Sequence, residues 1–109
     1  LVGFDCYCNT NYDRYAASMK NALDITKAFA QEHGKLMAVT ETGHEGLKHS
    51  KWWTEVLYPI IKDYPVSYVL TWRNACDDNM QHHFYAPFPG QESEDDFKAF
   101  AALDKIMFL

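Results

Sequence analysis

A chain of 109 residues has room for one domain at most, and ten Lys and Arg against fifteen Asp and Glu leave it a formal charge of -5. With no basic stripe to offset that balance, binding to nucleic acid is not expected. The apolar runs fall far short of a membrane span and no basic-then-apolar leader opens the chain, so it reads as soluble with no membrane partner. Three Trp, seven Tyr and seven Phe nevertheless give it the apolar content of a larger core.

The first strand is expected over Leu1 to Cys8. Period two places Gly3, Asp5 and Tyr7 on one side and Phe4, Cys6 and Cys8 on the other. Asn9 to Asn11 turn the chain, and Asn11 or Asp13 can cap a helix. That helix carries Tyr15, Met19, Ala22, Leu23, Thr26, Phe29 and Ala30 on one stripe and should end at Gly34. The run from Leu36 to Gly43 reads as a second, buried strand that ends in the carboxylate of Glu41. Such a charge is either paired, with Arg73 or a lysine, or functional.

A polar connection with His44, Glu45, Lys48 and His49 follows. Ser50 is the expected cap of a second helix bearing Trp52, Trp53, Val56, Leu57, Ile60 and Ile61, which Pro59 should kink or split. Val66 to Trp72 reads as a third strand. From Arg73 to Gln91 no periodicity is present, and the length exceeds an ordinary connection. Phe84, Tyr85, Pro87, Phe88 and Pro89 supply rigid apolar matter that can pack over a cleft. Ser93 and Asp96 resemble a capping box for a last helix with Phe97, Phe100, Ala101, Leu103 and Met107.

Cys6, Cys8 and Cys76 are an odd number. Their spacing, with His82 or His83 as further ligands, fits no usual zinc pattern, so small buried hydrophobes are expected and neither metal nor cofactor is. His44, His49 and His82 read as surface or loop residues, whereas His83, beside Phe84 and Tyr85, can line a subsite.

Three strand-then-helix units imply an α/β fold with parallel strands and right-handed crossovers. Strongly apolar strands ask for neighbours on both sides, which points to the last part of a larger parallel structure. A barrel is favoured over an open sheet because Asp5, Tyr7, Glu41, Trp72 and Arg73 all fall at strand ends that can face one centre. Aromatic faces beside hydroxyl-reading groups suit a carbohydrate cleft, in which the Tyr7 phenol can donate to the Glu41 carboxylate. Ordinary packing for Tyr7 and Trp72, and an ion pair of Arg73 with Asp5, Asp77 or Asp78, are the alternatives.

Val2-Gly-Phe-Asp-Cys-Tyr7, Val39-Thr-Glu-Thr-Gly43, Trp52-Trp53-Thr54 with Pro59, Thr71-Trp-Arg-Asn-Ala75 and His83 to Gly90 with Asp95-Asp96-Phe97 occur in that order. Together they resemble the C-terminal part of the catalytic domain of glycoside hydrolase family 26, chiefly endo-β-1,4-mannanases. The resemblance implies that residues 1–109 are part of a single (β/α)8 TIM barrel, its strands six to eight, incomplete in this chain. It implies Glu41 as catalytic nucleophile and Tyr7 as the residue orienting it. It further implies Trp72 as a sugar platform, Arg73 as a substrate contact and Asp5 as a residue shaping the cleft; Tyr85 and His83 are added as lining groups.

That family is retaining, and its acid/base glutamate comes from the fourth strand, which has no counterpart here: Glu45, Glu55, Glu92 and Asp95 fall in loops or helices. The expected partners are therefore β-mannan or a manno-oligosaccharide and an N-terminal portion of the same barrel, without which the 109-residue chain is expected to be inactive. β-Glucanase (lichenase) or β-1,3-xylanase activity of the same family, and a non-catalytic carbohydrate-binding fragment, are the alternatives. An extracellular or periplasmic location is what the resemblance implies.

Overall fold

In a computed structural model, which describes residues 1–75 and 82–109, the chain forms an α/β unit. Cys76, Asp77 and Asp78 lie outside the described residues. The elements are β1 (Val2–Cys8), α1 (Tyr12–His33), β2 (Met37–His44), a π-helical segment (Trp52–Leu57) running into α2 (Tyr58–Ile61), β3 (Val66–Thr71) and α3 (Glu94–Ala101). The strands are parallel in the order β1-β2-β3. Helical crossovers make that arrangement the natural one for strand-helix-strand repeats.

The Asn11 side chain accepts the Arg14 N–H at 3.0 Å and starts α1. Gly34 stops it in a left-handed conformation at φ 61°, which costs a residue without a Cβ nothing. The buried stripe is Tyr15, Met19, Leu23, Thr26 and Ala30. Phe29, expected on that stripe, is 48% exposed and lies against His33 instead.

The second helix is split, as Pro59 requires. A proline has no N–H to return, so the turn before it opens into wider π geometry, with the Tyr58 N–H reaching Trp53 O. Its cap position is Lys51, not Ser50. Trp52 and Trp53 on this segment are fully buried and pack edge to face with ring centroids 4.9 Å apart. Losing either ring would cost about 3–5 kcal/mol.

At α3 the expected capping box does not form. The Ser93 hydroxyl donates to Gln91 Oε1 and accepts the Trp53 indole N–H. Asp96 accepts the Thr54 N–H and hydroxyl. Both capping side chains are drawn into docking α3 on the π-helical segment, so tertiary contacts outcompete a local motif worth about 1 kcal/mol. The helix ends at Ala101, short of the expected Met107, which is exposed.

Along β1 burial alternates: Gly3, Asp5 and Tyr7 are exposed, while Val2, Phe4 and Cys6 are half-buried and Cys8 is buried. The even face packs on the core formed with α1 and the π-helical segment. The odd face of the sheet is open, and it also presents Tyr68 and Leu70 of β3. No helix among the described residues is long and apolar enough to cross a membrane.

Candidate active site

The position of Glu41 depends on one irregularity. Phe4 pairs with Val39 and Asp5 with Glu41, so Thr40 is an extra residue with no partner on β1. Plain alternation from the buried Val39 would send Glu41 into the core. The bulge reverses the parity, placing Glu41 with Asp5 on the open face and Thr42 with Cys6 on the covered one.

There the Tyr7 phenol donates to Glu41 Oε2 at 2.6 Å. Partial desolvation, the hydrogen bond to Glu41 and the negative charges nearby all raise the Tyr7 pKa well above the ordinary phenol value, so it remains a proton donor at neutral pH. Asp5 is reached through Thr40, whose hydroxyl donates to Asp5 Oδ1 at 2.7 Å. The alternative ion pairs of Glu41 with Arg73 or a lysine, and of Arg73 with Asp5, do not form; Asp77 and Asp78 fall among the residues not described.

The 82–90 segment covers one side of this group. Tyr85 sits edge-on to Tyr7 with ring centroids 5.8 Å apart. It lies directly over Gly43, where a Cβ would come within 2.5 Å of Tyr85 Cδ1. His83 packs edge-on to Tyr85 and its Nδ1 donates to Glu45 Oε1 at 2.9 Å. Asn74 fastens the segment: its Oδ1 accepts the N–H groups of Tyr85 and Ala86, and its Nδ2 donates to Ala86 O. Sequence reasoning gave Asn74 no role of its own and weighed Glu45 only as an acid/base, setting it aside. An Asn just past a strand end, eleven residues before an aromatic cluster, is the only signal that marks the first.

Trp72 is tied by its N–H to Thr42 O at 2.9 Å. It follows Thr71, which pairs with the buried Thr42, so alternation assigns it to the open face; its indole forms no ring pair with Tyr7 or Tyr85. Arg73 is exposed. Tyr7, Glu41, Tyr85 and His83 are thus linked through contacts and Asp5 through Thr40, while Trp72 joins them only by its position just past β3, and alternation turns Arg73 the other way.

Behind the group the covered face is closely hydrogen-bonded. The Thr42 hydroxyl donates to Cys6 O at 2.7 Å, which makes Tyr15 the donor in its 2.5 Å contact with Thr42. His44, expected at the surface or in a loop, is buried at the end of β2. Its Nδ1 donates to Cys8 O and its Nε2 accepts from the Tyr12 hydroxyl. Burial pushes the His44 pKa below its ordinary value, with help from Lys48 and His49. Burial also pushes the Cys8 thiol up to about 11, which suits a small inert hydrophobe.

Among the described residues no group of three or more His, Cys, Asp or Glu side chains is arranged to hold a metal ion. A pocket of about 220 Å³ between the loops after β1 and β2 is lined by Cys8, Asn9, Thr10, His44, Glu45 and Lys48. Glu41 is not among the residues that line it.

No protein-family model matches the chain. A β-mannanase of glycoside hydrolase family 26 from Bacteroides ovatus superimposes with a TM-score of 0.91 at 44% identity, over 97% of this chain and 30% of that one. A modular endo-β-1,4-mannanase of the same family from Cellulomonas fimi gives 0.79 at 31%, over 97% of this chain and 25% of that one. A mannan endo-1,4-β-mannosidase from Bifidobacterium adolescentis is 30% identical in an alignment of 87 residues that covers 70% of this chain and 9% of that protein. The parallel strands and helices are those of part of a TIM-barrel-like domain, and over most of its length the chain is homologous to the catalytic domains of glycoside hydrolase family 26 mannanases, of which it spans only a fraction.

Proposed function

We propose that this chain supplies the last three βα units, strands six to eight, of the (β/α)8 barrel of a retaining endo-β-1,4-mannanase, with Glu41 as the nucleophile. The observation that carries the reading is the Tyr7–Glu41 hydrogen bond on the open face. One carboxylate oxygen is fixed by the phenol, which leaves Oε1 to attack the anomeric carbon. Displacement of the leaving sugar gives a glycosyl-enzyme ester that water then hydrolyses, so that configuration is retained over the two steps.

The second carboxyl group, which protonates the leaving oxygen and later activates water, is supplied by an N-terminal portion of the same barrel, about 5–5.5 Å from Glu41 as retention demands. Glu45 does not serve, being engaged by His83. Trp72, Tyr85 and His83 line the sugar cleft, and Arg73 and Asp5 read hydroxyls. The substrate is β-mannan or a manno-oligosaccharide, no cofactor takes part, and an extracellular or periplasmic location suits a polysaccharide substrate.

The test compares the full catalytic domain, its Glu41→Ala variant and the 109-residue chain alone on mannan, lichenan and β-1,3-xylan. The full domain should release sugar from mannan, the variant should lose about 10³-fold or more of that rate while still binding, and the short chain should release none. Preferential release from lichenan or xylan overturns the substrate, and an active Glu41→Ala overturns the nucleophile.

A further inference from the structure

Thr40 is the residue that β1 leaves without a partner, and it is held at both of its branches. Its hydroxyl donates to Asp5 Oδ1 at 2.7 Å. Its Cγ2 occupies the notch left by Gly3, 2.5 Å from where a Cβ on that glycine would lie. Branching at Cβ restricts χ1, so holding both branches fixes the side chain and the backbone beneath it.

The bulge needs such support. Without it β2 can pair in plain register, which would turn the Glu41 carboxylate into the apolar layer beside Val39 and bring Thr42 out. A bulge sacrifices ladder hydrogen bonding and persists where side chains specify it. We propose that Thr40 is a positioning residue for Glu41: clamped on Asp5 and in the Gly3 notch, it holds the bulge that turns Glu41 onto the open face, where Tyr7 reaches it. The inference rests on the reading of Glu41 as nucleophile. Thr40 itself touches neither Glu41 Oε2 nor the sugar-lining rings among the contacts of the site.

The experiment uses the full catalytic domain and 2,4-dinitrophenyl β-mannobioside, whose phenolate departs without acid assistance, so the burst rate reports attack by the nucleophile. Thr40→Val keeps shape and strand preference but removes the donor to Asp5. The burst rate constant should fall about 10- to 100-fold, the scale of a displaced reacting group. The dissociation constant for mannobiose, a product-sized ligand, measured by calorimetry, should stay within about threefold, and Thr40→Ser, which retains the hydroxyl, should keep most of the rate.

A Thr40→Val enzyme within threefold of the parent overturns the proposal. So does a Ser variant as slow as the Val variant, or a loss of rate matched by an equal loss of binding. Where Thr40→Val does not fold, Thr40→Ala against Thr40→Ser decides by the same criteria. Glu41→Ala separates the two readings. If it keeps the burst, the nucleophile assignment falls; if it is inert while Thr40→Val is fast, only the positioning role falls.

Discussion

Tyr7 and Glu41, 34 positions apart in the chain, meet through a 2.6 Å hydrogen bond across neighbouring parallel strands. The donor stands at an odd position of β1, and the acceptor reaches the same face only through the bulge at Thr40. Replacing Tyr7 by Phe removes the donor and leaves most of the ring. Turnover on mannan by the full catalytic domain should fall roughly tenfold, the scale of one charge-assisted hydrogen bond at a partly exposed site. Steady-state kinetics should place the loss in kcat more than in KM.

The raised phenol pKa values carry a pH dependence of their own. Tyr7 and Tyr15 both titrate above the ordinary value of 10.0 when folded, so the folded state holds protons that the unfolded state has released. Their stabilising contribution is complete below about pH 10 and is lost as pH rises toward the folded values. Urea midpoints should therefore drop as pH rises above 10.0, and Tyr7→Phe should flatten the drop.

His44 gives the opposite sign. Burial lowers its folded pKa from 6.5, so below that pH the unfolded state binds the proton first. Stability that is full at neutral pH should decline as the solution is acidified through the window beneath 6.5. In an NMR series His44 should accordingly titrate below 6.5, because burial disfavours its charged form.

Asn74 holds three backbone groups of the 82–90 segment. Asn74→Ala should destabilise the protein by about 1–3 kcal/mol, the cost of leaving such groups unsatisfied. Asn74→Asp keeps both acceptor contacts and loses only the donor to Ala86 O, so its chemical denaturation midpoint should fall between parent and Ala variant.

Gly43→Ala puts a methyl group 2.5 Å from Tyr85 Cδ1. The ring must leave Gly43 and with it the edge contact on Tyr7. A loss of about 1–3 kcal/mol in unfolding free energy, typical of overpacking, should accompany weaker binding of manno-oligosaccharides.

The order of strands and helices, the Gly34 end of α1, Asn11 as one of two candidate caps at its start, and the shared face of Gly3, Asp5 and Tyr7 were all legible in the sequence. Each depends on residues close in the chain, through strand alternation, a side chain reaching a nearby N–H, or a residue free of a Cβ. The resemblance of five separated motifs marked the family without any coordinates.

What the tertiary structure decided is which side Glu41 takes, since a bulge depends on the pairing of two strands and one strand's sequence does not contain it. It also moved Ser93 and Asp96 from capping to docking, buried His44, and tied His83 to Glu45. These are competitions between a local partner and a distant one, and the distant partner wins where burial removes water as the alternative.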